Sequence, residues 1–143
     1  MKSVLLAACV LLAAVAEGQI TDVTQTGQLT AAALSPALCV YPPNPSASCV
    51  KLNYEGRQSV AGTLTGSFAA LLIGEISGDG GTTWTQVSLG RIQSFQNETP
   101  TAAVDSPGVY SFLTTHGGQL AQMRVTTYNG GTVGVMLRAT QAR

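Results

Sequence analysis

Ala69-Ala70-Leu71-Leu72-Ile73-Gly74-Glu75-Ile76-Ser77-Gly78-Asp79-Gly80-Gly81-Thr82-Thr83-Trp84-Thr85-Gln86-Val87-Ser88-Leu89 is the stretch on which the fold turns. Its apolar part, Ala69 to Ser77, is too short for a core helix and suits a strand buried on both faces. Ser77 to Thr83 then supplies glycines, which reach the positive-φ conformations of a tight reversal at no steric cost. A hairpin follows. In its return strand, Trp84 to Leu89, Trp84, Gln86 and Ser88 face one way and Thr85, Val87 and Leu89 the other, with Trp84 expected to cap the core.

The same period of two extends outward in both directions. Upstream, Ile20 to Leu34 reads as a first strand entering from an extended arm. Cys49 to Tyr54 alternates apolar and polar residues, and Val60, Gly62 and Leu64 share one face of Ser59 to Gly66. Downstream, Arg91 to Phe95 reads as an edge strand and Asn97 to Pro100 as loop. Gly108 to Thr114 and Leu120 to Tyr128 are strands, Asn129-Gly130-Gly131 is a second glycine turn, and Thr132 to Thr140 closes the chain with Val133, Val135, Leu137 and Ala139 on one face. About eight short antiparallel strands at spacings of about 8–12 residues predict an all-β fold, a single β-sandwich or jelly-roll-like domain.

The chain has 143 residues, 45% of them hydrophobic and 10% charged, against roughly 25% charged in an average soluble domain. Much of the surface is therefore neutral. Seven Lys and Arg balance seven Asp and Glu. The basic residues are scattered, which argues against nucleic acid as a partner, since phosphate affinity needs them gathered on one face.

Met1 to Ala16 carries Lys2, an apolar run from Val4 to Ala14 and small residues at Ala14 and Ala16 before Glu17. This is the three-part pattern of a secretory signal, with cleavage expected between Ala16 and Glu17 and no stable membrane insertion after processing. A retained apolar helix docking on the domain is the alternative; lipidation at Cys9, after Leu6-Ala7-Ala8, is a weaker one. The chain thus divides into residues 1–16, an arm with first strands and a proline-rich loop over 17–58, and a sandwich body over 59–143. Cys39 and Cys49 bracket that loop, Val40 to Ser48, and are disulfide candidates. Such a bridge would contribute on the order of 2–3 kcal/mol, the alternative being two reduced thiols.

Catalytic groups are sparse. His116, the one histidine, lies in a Thr-Thr-His-Gly-Gly turn, and a general base would need a nucleophile and an orienting acid beside it. Glu75 and Asp79 are the closest acids near the main turn, without the lining a glycosidase needs. Asp79-Gly80-Gly81 lacks the further oxygen ligands of a calcium loop, and neither Gly-Gly pair continues as a phosphate-binding motif. We expect no enzyme activity, no cofactor and no metal. Trp84, Tyr54, Tyr110 and Tyr128 could stack a sugar, though in a sandwich such rings more often fill the core. Asn97-Glu98-Thr99 matches a glycosylation acceptor, which has meaning in a eukaryotic secretory pathway.

Val60-Ala61-Gly62-Thr63-Leu64-Thr65-Gly66-Ser67-Phe68, followed by Gly74-Glu75-Ile76-Ser77-Gly78-Asp79-Gly80-Gly81-Thr82-Thr83-Trp84, resembles small β-sandwich proteins of tailed bacteriophages and prophages. Gly108-Val109-Tyr110, Gln122 to Val133 and Leu137-Arg138-Ala139 resemble the end of such domains. The resemblance implies a virion structural role (capsid decoration, head fibre or tail-associated module) whose partners are copies of itself and a capsid or tail protein. The turn residues Asp79, Gly80, Gly81 and Trp84, with Asn129, Gly130 and Gly131, are then the interface candidates. The signal-like N-terminus and the cysteine-bracketed loop depart from that pattern. They point to a secreted binding module, an adhesin or glycan binder, or to a secreted filament subunit.

Overall fold

The computed structural model describes residues 22–39, 47–92 and 100–141. The expectations for Met1 to Ala16, the Ala16–Glu17 cleavage point, Ile20, Phe95 and the Asn97 acceptor fall outside them. Nine strands form two antiparallel sheets: β1 (Val23–Leu29), β2 (Cys49–Asn53), β3 (Ser59–Thr65), β4 (Phe68–Ser77), β5 (Thr85–Val87), β6 (Leu89–Arg91), β7 (Gly108–Phe112), β8 (Leu120–Gly131) and β9 (Val133–Thr140). One sheet has the order β1-β9-β3-β7-β6 and the other β2-β8-β4-β5. The described residues contain no α-helix, only one turn of 3-10 helix at Pro36–Leu38.

The order follows from folding one long ribbon. β4 and β5 pair across the Ser77–Thr83 turn, and β3 with β7, β2 with β8 and β1 with β9 nest successively outside them. Rolling that ribbon adds the pairs β3 with β9 and β4 with β8. The sandwich is therefore a jelly roll, with the glycine turn at its centre.

Alternating inward residues of both sheets make one core, including Leu29, Val60, Leu64, Leu72, Met123, Val125 and Leu137. Packing is tight at Gly62, where an added Cβ would lie 2.6 Å from Met123 Sδ, and at Gly74, where it would lie 2.7 Å from Leu89 Cδ2.

Three sequence expectations are corrected. The first strand ends at Leu29 rather than Leu34, because the Thr30 and Ala31 N–H groups both turn to the Ala47 carbonyl, at 2.7 and 3.1 Å; Leu34 is 88% exposed. The return strand breaks at Ser88, so that β5 stays on β4 while β6 crosses to β7. Val87 and Leu89 both point into the core from opposite sides of that corner. In the next segment β6 ends at Arg91, and Gln93 to Phe95 of the expected edge strand lie outside the described residues. The second glycine turn is instead the end of β8: Gly130 and Gly131 pair with Ala69 and Phe68, and the chain changes sheet at Thr132.

Candidate interaction surface

The outer faces of the two sheets differ in kind. On the four-stranded sheet, Glu75 and Arg124 point outward beside Gln122 and Lys51, yet both are buried. The chain itself covers them. Residues 31–39 run beside β2 and β8; the Ala33 N–H bonds the Val125 carbonyl at 2.9 Å, and Arg124 Nη1 donates to the Ala33 carbonyl at 2.7 Å. Lys51 Nζ donates to the Cys39 carbonyl. Cys39 and Cys49 are joined as a disulfide, fixing the strap to β2. Beneath it, Arg124 forks onto Glu75 at 2.6 and 2.9 Å, and Gln122 Nε2 adds a third bond to the same carboxylate at 2.6 Å. The amide oxygen of Gln122, Oε1, has no hydrogen-bond partner among the described residues. Burial pulls the Lys51 ammonium below its usual range, and the Glu75 charge partly offsets that pull.

The turn candidates form a rigid knob rather than a reactive group. Asp79 accepts from the Thr83 hydroxyl at 2.5 Å, the Thr83 N–H at 2.8 Å and the Ser77 hydroxyl at 2.8 Å. These bonds, led by Thr83, lower its carboxyl to about 2. Gly80 and Gly81 take φ of 72° and 95°. Trp84 does not cap the core. Preceding β5, it lies half-buried on the turn, its indole N–H donating to the Gly81 carbonyl at 3.0 Å and the Lys51 ammonium 5.3 Å from its ring centre. A shallow cleft of about 370 Å³ opens beside it, lined by Lys51, Asn53, Gly80, Gly81, Gln119 and Leu120. Gly130 and Gly131 lie at the far end of β4, whose ten residues span about 30 Å. The structure therefore does not bring the two glycine sites together. Of the aromatic candidates, Tyr54 and Tyr110 are buried, with hydroxyls on the Thr115 and Ser106 carbonyls, and burial raises the Tyr54 phenol. His116 is exposed in the β7–β8 connection. Among the described residues no three His, Cys, Asp or Glu side chains gather as a metal site.

The five-stranded sheet has no such cover among the described residues. Thr24, Thr26 and Gln28 of β1, Ser59, Ala61, Thr63 and Thr65 of β3, and Met136, Arg138 and Thr140 of β9 face outward, none of them buried. Val109, Leu113 and Ile92 extend the face, at 36%, 47% and 54% exposure. The charge on it, Arg138, is paired with Asp22 at 2.5 Å. Shallow depressions of about 300 and 370 Å³ mark it, one around Thr63 and Gly134, the other around Ile92, Val109 and Met136. Sequence reasoning anticipated a neutral surface but not these residues; the signal was the Thr, Ser and Ala at every second position of β3.

Strand order and exposed face together define a jelly-roll β-sandwich in which residues 31–39 cover the Glu75–Arg124 part of one sheet, while the outer face of the other has no such cover among the described residues. No family model matches the chain, and no curated protein matches its sequence. Its fold is similar to that of the SPBc2 prophage-derived protein YomS, known from a crystal structure, with a TM-score of 0.54 and 14% identity over 83% of this chain and 94% of that one.

Proposed function

We propose that the chain is a non-enzymatic structural subunit of a phage or prophage virion, acting by self-association and by packing on a capsid or tail protein. The observation that carries this reading is the exposed five-stranded sheet, a broad face of Thr, Ser and apolar side chains on which, among the described residues, the projecting Arg138 is already paired with Asp22. Such a face loses little solvation when another protein covers it, because there are few ions to strip of water. The prophage origin of the similar fold supports the virion setting. Sedimentation velocity over a rising concentration series, with a search for the protein in particles released from its host, tests the reading. Self-association and recovery in particles are expected. A chain that stays monomeric at millimolar concentration and is absent from particles would overturn it.

The disulfide between Cys39 and Cys49 favours a second reading, a secreted binding module or filament subunit, since such bridges persist in oxidising compartments. A glycan would then sit in the cleft beside Trp84. A glycan array and the intact mass of the native protein separate the two readings: a mass lacking Met1 to Ala16 together with glycan binding supports the second, and a full-length mass without it the first.

A further inference from the structure

The four sheet edges are unequally defended. β5 and β6 are three residues long, and β2 has five with Lys51 at its centre. Short strands and a central lysine are the usual means of keeping an edge from recruiting another strand. β1 has neither. Its seven residues, Val-Thr-Gln-Thr-Gly-Gln-Leu, include no charge and no proline, and its register with β9 runs without a bulge from Val23 to Leu29. Among the described residues, the backbone of Val23–Leu29 has no backbone partner besides β9. The Gln25 amide reaches the Thr26 carbonyl at 3.4 Å, the long limit of a hydrogen bond.

We propose that β1 pairs antiparallel with β1 of a second copy about a two-fold axis at Thr26, joining two five-stranded sheets into one of ten. The inference rests on the assembly reading above and names the edge through which it occurs. A second copy fits because the strand is complementary to itself under that axis. Val23 falls opposite Leu29, Thr24 opposite Gln28 and Gln25 opposite Gly27, so no like charges meet. Asp22, the nearest acid, is held by Arg138 of its own chain and falls opposite Thr30. An isologous contact satisfies both free edges at once and closes at two copies. It also makes the two bare faces continuous, doubling the uncharged surface offered to a capsid or tail protein.

Residues directly opposite in an antiparallel pair have Cα atoms about 4.5–5.5 Å apart, within the range a disulfide spans. Full-length Thr26→Cys, mildly oxidised, is therefore expected to form a covalent dimer at least about tenfold faster than Thr63→Cys, an equivalent probe on mid-sheet β3, with the unsubstituted chain as the background for native cysteines. Thr26→Lys, which places two cations opposite one another on the axis and lies beside the uncharged Met136 of its own chain, is expected to weaken association about tenfold or more, its folding checked by the melting temperature at low concentration. If the unsubstituted protein associates while Thr26→Cys cross-links no faster than Thr63→Cys, the edge inference is overturned and the assembly reading stands. A monomer at every concentration overturns both.

Discussion

Arg124 meets Glu75 diagonally across the β4–β8 ladder: Glu75 is registered opposite Gln122 and Arg124 opposite Ile73, yet Arg124 Nη2 lies 2.6 Å and Nε 2.9 Å from the two Glu75 carboxylate oxygens. The side chains are 8% and 5% exposed. Removing one member leaves the other as an uncompensated buried charge, so Glu75→Gln should destabilise the fold by about 3–5 kcal/mol. Replacing both with apolar residues, Glu75→Leu/Arg124→Met, should recover most of that loss. Urea unfolding of the single and double variants checks this; a double variant as unstable as the single one would mean that the pair's worth lies elsewhere, in the bonds to Ala33 and Gln122.

The strap over that pair depends on Cys39 and Cys49. Their substitution by serine, or reduction of the native protein, should cost about 2–3 kcal/mol for a loop of this length. The loss should be felt locally as well, because Lys51 and Arg124 both donate to strap carbonyls. Hydrogen exchange of the Ala33 amide, bonded to Val125 in the folded protein, should quicken in the Cys39→Ser/Cys49→Ser variant before the amides of β3 and β9 do. Uniform acceleration across all strands would show that the strap has no separate stability.

Asp79 titrates far from its ordinary range. Its folded value of about 2 lies below the 3.8 of a free aspartate, because Thr83 and Ser77 bond its charged form. The carboxylate therefore stabilises the turn fully above about pH 4, and that contribution is lost as pH falls through about 2. An Asp79→Asn variant should be less stable than the parent at neutral pH and converge with it in strong acid. The Asp79 carboxyl carbon shift, followed by NMR, should show a midpoint near 2; a midpoint near 4 would show that the Thr83 and Ser77 bonds do not persist in solution.

Strand positions were readable where burial is one-sided. The alternation in Cys49–Asn53, Ser59–Thr65 and Val133–Thr140, and the glycines after Ser77, lead directly to β2, β3, β9 and the central hairpin. Sheet membership was not readable, because period two reports which side of a strand is buried and is silent on which sheet carries it. Ser88 and Thr132, where the chain changes sheet, both look like ordinary strand residues. Gly131 resembled a turn glycine; its φ of 84° is real, but the position serves close approach to Phe68, whose Cα would lie 2.6 Å from an added Cβ. The candidate surface was half legible. Low charge foretold a neutral exterior, whereas the cover over Glu75 and Arg124 comes from residues 31–39, whose Ala and Leu content reads as a continuation of the first strand. Glu75 and Arg124 did carry a signal, each an isolated charge inside an apolar strand. That pattern indicates an ion pair more often than a catalytic acid.

Gly62 limits how the sheets approach. It faces inward on β3, where an added Cβ would lie 2.6 Å from Met123 Sδ and 3.3 Å from Leu137 Cδ2. Overfilling a packed core costs about 1–3 kcal/mol. Gly62→Ala should fall at the lower end, because the Met123 thioether is flexible, and Gly62→Val at the upper. Combining Gly62→Ala with Met123→Ala should cost less than the sum of the two single changes, since the added methyl occupies part of the vacated space. Additive losses in denaturant unfolding would place the strain on Leu137 instead.

Met136 and Val109 project from the bare sheet at 38% and 36% exposure, on either side of the depression that Ile92 also lines. Neither belongs to the buried core, so Val109→Lys and Met136→Arg should change folding stability by no more than about 0.5 kcal/mol. Their effect on contacts should be much larger, because a partner covering this face would have to strip water from a new, unpaired cation. In a co-sedimentation assay with virion particles, both variants should be lost from the pellet while melting at the parent temperature. Retention of both variants in the particles would exclude the five-stranded face from the contact. Loss of binding by a Thr82→Lys control in the exposed β4–β5 turn, with the other two retained, would move the contact to the central turn.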